Sequence, residues 1–359
     1  MRRPAKSLLI ACTVAAAAAV ARAQEDEREK PPVVPPEGAA PQVLPAVNPT
    51  DAERPMTPEE AELAAATFLA WPDRQYADDP DLPPETQCID LFTPEKKPES
   101  PLPVIVWIHG GGWQDGDKRG ALEWKPACFT HAGFVLASVN YRLAPAFLYP
   151  AFMVDVARAV AWLHAHVQEY GGDPERMVLM GHSAGAHIAA LLATDQHWLA
   201  DAGIAPPADA QHSLLKGLVL LDGGGYDLER RARNSVDAEN SLGLVFGRDH
   251  SQWAAASPVT HIAAGKGLPP FLLVHAGTQK ATAVEARELA RALRGASVEV
   301  EQVEAPDEIH GTIQKVVGGP NDPTTVQVLD FFRKVTGAAA PAPKPATTPT
   351  RKPKRHNPY

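Results

Sequence analysis

Three short stretches carry residue types that could act together on a carbonyl group. Gly181-His182-Ser183-Ala184-Gly185 sets a serine between glycines, with an apolar run before it and an apolar helix-forming stretch, Ala186 to Thr194, after it. A strand that turns sharply into a helix leaves no room for side chains beside the serine and presents its hydroxyl at the helix N-terminus. His109-Gly110-Gly111-Gly112-Trp113 ends another apolar run. Glycines there let backbone N–H groups approach a developing oxyanion, where one well-aimed donor is worth roughly 3 to 4 kcal/mol. The amides of Gly111 and Gly112, with that of Ala184 after the serine, are the candidate donors. His310 follows a segment in which Val298 and Val300 alternate like a last strand, and a histidine in the loop beyond such a strand is a candidate general base. His109, His182, His187 and His275 lie inside or beside other motifs and read as packing or hydrogen-bonding groups. Serine, imidazole and paired amides together point to nucleophilic acyl transfer.

These groups need a scaffold that brings them to one edge. Near-continuous apolar runs at 103–110, 134–140, 177–181, 215–222 and 271–276 suit parallel strands covered on both faces. Val156, Val160, Leu163 and Val167 recur at helical spacing, and 281–293 and 325–332 read as helices with one apolar side. Alternation of this kind predicts an α/β fold, one open parallel sheet with crossover helices. Residues 223–268 fit no member of that series and read as a cap or lid over the sheet edge.

With HGGGW, NYRLAP (140–145), GHSAGAH (181–187), DGGGYD (222–227) and the late His310 in this order, the chain resembles the hormone-sensitive-lipase-type and feruloyl-esterase-like branch of the α/β-hydrolases, from about Tyr76 to Thr336. The resemblance implies a single α/β-hydrolase domain over 58–337 with a mostly parallel eight-stranded sheet. It also implies a serine nucleophile at Ser183, no metal or organic cofactor, and a small-molecule carboxylic ester as substrate. Trp113 and the cap over 223–268 would shape the substrate pocket, although a packing role suits Trp113 equally. A second resemblance, of WQDGDK (113–118) and GHSAGAH to kynurenine formamidases, implies arylformamidase activity, although those enzymes usually carry a bulky aromatic where Gly112 stands. A hydrolase fold that only binds a ligand is the third reading.

That third reading arises from one gap. Relatives of this type carry Asp just after the strand equivalent to FLLVHA (271–276), where this chain has Thr278, Gln279 and Lys280. Asp222 ends the preceding strand, on the edge where the loops of a parallel sheet open onto the active face, and it keeps the chain order Ser, acid, His. It is the favoured acid. Glu285 is a second choice, though Thr282-Ala-Val-Glu285 reads as a capping box. Glu308 and Asp307, close to His310, are a third, and a site with no acid is the fourth.

The composition allows a large folded core and disfavours a nucleic-acid partner. The 359 residues are 45% hydrophobic, enough for a sizeable core. Arg2, Arg3 and Lys6 precede an apolar, alanine-rich run (7–20) and the small-residue sequence Ala21-Arg22-Ala23, which predicts a secretory signal over 1–23 and an exported protein. The run is shorter than a membrane span of roughly 20 residues needs, so no stable span is expected after cleavage. Removing the four basic residues of that segment takes the formal charge from −9 to −13, which repels nucleic acid. Residues 24–57 read as a proline-rich disordered linker and 338–359 as a disordered basic tail. Cleavage removes Cys12, and Cys88 in a strand and Cys128 in a helix are expected as buried free thiols, with a disulfide as the alternative.

Overall fold

The structure, a computed structural model, describes residues 40–45, 57–205, 213–278 and 280–339. The predicted signal segment and most of the two proline-rich ends lie outside them. Nine strands form one sheet: β1 (Gln42–Pro45), β2 (Thr67–Gln75), β3 (Cys88–Pro94), β4 (Leu102–Ile108), β5 (Val135–Val139), β6 (Gly172–His182), β7 (Leu215–Leu221), β8 (Phe271–Ala276) and β9 (Val300–Ala305). Their spatial order is β1-β2-β3-β5-β4-β6-β7-β8-β9. From β5 to β9 every pairing is parallel, whereas β1, β2 and β3 add on antiparallel at the other edge.

The apolar runs follow from this layering. Along β4, Val104, Val106 and Ile108 face one core while Ile105 and Trp107 face the other, so a strand covered on both sides needs no polar alternation. The helices are α1 (Pro58–Ala64), α2 (Lys125–His131), α3 (Ala151–His166), α4 (Ala184–Thr194), α5 (His197–Asp201), α6 (Leu228–Ala232), α7 (Val236–Phe246), α8 (His250–Ala255), α9 (Lys280–Gly295), α10 (His310–Val316) and α11 (Pro323–Thr336). Residues of α3, α4 and α9 cover the first face, and residues of α2, α10 and α11 cover the second. Among the described residues no helix is long and apolar enough to cross a membrane.

Two expectations change. The sheet has nine strands, not eight, because β1 forms inside the segment read as linker: Gln42 to Pro45 pair antiparallel with Thr67 to Ala70. The second concerns Glu285, whose capping box does not form. Helix α9 begins at Lys280, so Thr282 lies within its first turn and its hydroxyl bonds to Asp222 instead. Residues 223–268 form α6, α7, α8 and a 3₁₀ turn at Pro258–His261, and Phe246 of α7 packs against Trp113, Tyr149, Phe152 and His187. The two cysteines of the described residues are free thiols on separate elements, each pushed up to about 12 by burial and therefore poor nucleophiles.

Candidate active site

Ser183 is the single residue between β6 and α4, held at φ 52° and ψ −116°. The turn is so tight that a Cβ on Gly181 would lie 2.3 Å from the Gly185 carbonyl oxygen, and one on Gly185 would lie 2.1 Å from that of Ile108. Both glycines are therefore steric requirements of the turn. The Ser183 amide donates to the Leu221 carbonyl at 3.0 Å, which ties the turn to the end of β7.

His310 opens α10, just beyond β9. Its Nε2 lies 3.0 Å from Ser183 Oγ and its Nδ1 lies 2.6 Å from Asp222 Oδ2. An ionised carboxylate only accepts hydrogen bonds, so Nδ1 carries the proton and Nε2 offers its lone pair to the serine hydroxyl. Asp222 is 1% exposed and follows β7 at φ 43°. Its Oδ1 accepts the Ala276 N–H at 2.9 Å and the Thr282 hydroxyl at 2.6 Å. Burial alone would raise its pKa, but the hydrogen bonds from His310, Thr282 and Ala276 outweigh burial and leave it lower than an ordinary aspartate.

Asp222 thus stands one strand earlier than the acid position the resemblance implies, and Ala276 at the end of β8 and Thr282 in α9 supply donors to it. Glu285 faces elsewhere: its carboxylate accepts the Gly225 and Tyr226 N–H groups and pairs with Arg231 at 2.9 Å. It braces the loop that follows Asp222. Glu308 meets this region through its backbone carbonyl, which accepts the Thr278 hydroxyl at 3.1 Å. Of the four carboxylates considered, Asp222 is hydrogen-bonded to His310. Sequence reasoning missed Thr282 as a partner of the acid because its spacing to Glu285 matched a cap signal.

The glycine loop after β4 runs through Gly111 (φ 117°), Gly112 (φ 60°) and Trp113 (φ 61°). The Gly111 carbonyl accepts the N–H groups of Gln114 and Asp115 at 3.1 and 3.0 Å, so the loop folds back on itself, and a Cβ on Gly111 would strike the Asp115 oxygen at 1.8 Å. Among the described residues, no acceptor is bonded to the N–H groups of Gly111, Gly112 and Ala184. Gly110 packs directly on the elbow, since a Cβ there would lie 2.7 Å from His182 Nδ1 and 3.2 Å from Ser183 Cβ. Trp113, expected to shape the substrate pocket, is 7% exposed; its indole meets His187 and Phe246 edge-on at 5.2 Å each. It is a post between the loop and the cap rather than an open wall.

Buried neutral histidines surround the site. The His182 ring donates from Nε2 to the His310 carbonyl at 2.8 Å, and burial pushes its pKa down to about 3. His109 bonds the Gly110 carbonyl through Nδ1 at 2.7 Å and stacks on Tyr141 at 4.3 Å, and burial lowers its pKa as well. Among the described residues no three His, Cys, Asp or Glu side chains gather as a metal site.

Comparison with known proteins finds ester hydrolases and their fold. The chain is 30% identical over 217 residues to the probable carboxylic ester hydrolase LipM of Mycobacterium tuberculosis, covering 56% of this chain and 48% of that one. It is 28% identical to esterase LipC of the same organism, covering 72% and 64%. The chain therefore spans about half to two thirds of the length of these curated relatives. Among solved structures, a bacterial heroin esterase superposes with a TM-score of 0.57 at 27% identity, over 69% of this chain and 79% of that one. A truncated carbohydrate esterase from gut microbiota superposes at 0.60 with 19% identity, over 75% and 96%, a likeness of fold. The BD-FAE family model matches residues 89–291, which hold the elbow, the glycine loop and Asp222. On that match, which spans more than half of the sequence, the chain belongs to the BD-FAE family of α/β-hydrolases.

Proposed function

We propose that the protein is a serine hydrolase of short-chain or aryl carboxylic esters. The observation that carries the reading is the continuous hydrogen-bonded line from Asp222 Oδ2 through His310 to Ser183 Oγ, at 2.6 and 3.0 Å. Names of ester hydrolases among the relatives support the same class.

The chemistry follows from the protonation states. As Ser183 Oγ attacks the ester carbonyl carbon, its proton passes to His310 Nε2, and the imidazolium is stabilised by the buried Asp222 carboxylate. The carbonyl oxygen becomes an oxyanion, for which the Gly111, Gly112 and Ala184 amides, bonded to no acceptor among the described residues, are the donors. Collapse breaks the bond to the alkoxy group, which leaves with the proton from His310, and an acyl-serine remains. Water repeats the sequence: His310 takes its proton, the acid product departs and Ser183 regains its hydrogen. Neutral His182 and His109 add no competing positive charge near His310.

Purified protein should hydrolyse p-nitrophenyl acetate and butyrate, and Ser183→Ala should abolish that turnover. A wild type no faster than the variant overturns the reading. Export through the N-terminal basic and apolar segment is part of the same proposal. Intact mass of protein recovered from an exporting host should show loss of residues 1–23, and an uncleaved, retained chain contradicts it.

A further inference from the structure

The glycine loop is held in a conformation that one of its residues resists. Gly111 and Gly112 adopt positive φ without penalty, but Trp113 does so at 61° with a Cβ, a region that non-glycine residues occupy only where their surroundings impose it. Its carbonyl accepts the Ala144 N–H at 2.8 Å, and its side chain is anchored by His187. The indole Nε1–H donates to His187 Nδ1 at 3.2 Å, and His187 Nε2 bonds the Ala256 carbonyl at 2.8 Å.

Each of these atoms has one compatible role. An indole N–H can only donate and a carbonyl can only accept, so His187 must be neutral, with its proton on Nε2 and its lone pair on Nδ1. Burial agrees, pushing the group down to about 4. A leucine of similar size would fill the space but strand a donor and an acceptor in a core where His187 is 0% exposed. The ring also contacts Phe246 at 5.6 Å. His187 lies four residues after Ser183 on α4, Trp113 follows directly on Gly112, and Ala256 and Phe246 belong to the segment between β7 and β8.

We propose that His187 is the positioning residue of the oxyanion loop, fixing the Gly111 and Gly112 amides through the Trp113 indole and tying that loop to the cap at Ala256. The inference rests on the serine-hydrolase reading above. It assigns a role to the last histidine of GHSAGAH, which acyl transfer by Ser183 and His310 leaves unused, and it makes the cap a support of the oxyanion site as well as its cover.

Two amides separate the two links of the histidine. His187→Asn keeps an acceptor near the place of Nδ1 and so keeps the indole bond; His187→Gln keeps a donor near the place of Nε2 and so keeps only the Ala256 bond. Losing one oxyanion donor lowers kcat about 10² to 10³-fold, so displacing donors that remain nearby should lower it about 10- to 100-fold. With p-nitrophenyl butyrate, His187→Gln and Trp113→Phe should each lose that factor in kcat, with KM within about threefold. A trifluoromethyl ketone gives an independent readout. Ser183 Oγ adds to its carbonyl carbon, the proton passes to His310, and the resulting oxyanion occupies the hole; its affinity should fall by the same factor.

The double variant should be no slower than either single one, because both break one bond, and His187→Asn should stay within about threefold of wild type. Losses that multiply, a His187→Gln enzyme as fast as wild type, or His187→Asn as slow as His187→Gln would each overturn the inference. Thermal melts accompany the assays. If the Gln variant melts below the assay temperature, Trp113→Phe with the ketone decides, since unchanged ketone affinity there also overturns the inference. Wild-type turnover that Ser183→Ala abolishes is the control for the hydrolase reading, and without it both proposals fall.

Discussion

Replacing Asp222 with Asn changes one atom and sets two demands of the site against each other. Oδ1 accepts two donors, the Ala276 N–H and the Thr282 hydroxyl, while Oδ2 accepts one, His310 Nδ1–H. An asparagine has one carbonyl oxygen. With that oxygen in the Oδ1 place, two bonds survive and the amide NH₂ faces His310, which must then turn its lone pair to Nδ1 and its proton to Nε2. That proton points at Ser183 Oγ, and the base is in the wrong tautomer. The flipped amide would keep the tautomer but set an NH₂ against two buried donors, at about 1 to 3 kcal/mol for each group left unsatisfied. The first arrangement therefore prevails. In a well-studied serine protease the same exchange lowers kcat about 10⁴-fold, equivalent to about 5.5 kcal/mol of barrier. Steady-state hydrolysis of p-nitrophenyl butyrate should fall by that order while the melting temperature moves by only a few degrees. A loss below about tenfold in a folded variant would refute Asp222 as the orienting acid.

Three further perturbations follow from the geometry. Glu285→Gln should destabilise the loop after Asp222 by about 1 to 2 kcal/mol, through its bonds to Gly225, Tyr226 and Arg231, yet leave kcat within about threefold; a hundredfold loss with an unchanged melt contradicts this. Gly110→Ala would force a Cβ to within 2.7 Å of His182 Nδ1 and 3.2 Å of Ser183 Cβ, so turnover should collapse in a protein that still folds, and unaltered kinetics would count against the packing of loop on elbow. His182 and His187 are held near pKa 3 and 4 in the fold against about 6.5 when unfolded. The unfolded chain then binds more protons below pH 6.5, so stability is full above that pH and drops as pH falls toward 4, by about 1.4 kcal/mol per pH unit for each ring. Denaturation curves at pH 7, 6, 5 and 4.5 should show this, and His187→Asn should flatten it; a pH-independent midpoint contradicts it.

What could be read from the sequence was what is local. Ser183 and the glycine loop announce themselves because a tight strand-to-helix turn and a close backbone approach restrict the residues within five positions of each other. The parallel strands β4 to β8 were visible because both of their faces are buried. Strands β1 and β2 were not: QVLP sits in a proline-rich stretch, and TFLAWPDRQ is broken by Pro72 and by a register shift between Trp71 and Arg74, which interrupts its alternation. The acid stayed undecided for a different reason. Asp222 and His310 are 88 residues apart and Thr282 is 60 from Asp222, so the partners that fix the carboxylate are tertiary. Glu285 looked like a cap because its true partners, Gly225 and Arg231, are distant in the chain. Trp113 stayed open between pocket wall and packing residue because nothing in its neighbours reveals that His187 and Phe246 enclose it.

The most direct test of the central claim is the site of covalent capture by a fluorophosphonate, in which a nucleophilic hydroxyl oxygen displaces fluoride at phosphorus. Peptide mass spectrometry of the folded protein should place the adduct on Ser183, with labelling lost in Ser183→Ala and slowed by orders of magnitude in Asp222→Asn. An unlabelled folded protein, or an adduct on another residue, would contradict the account.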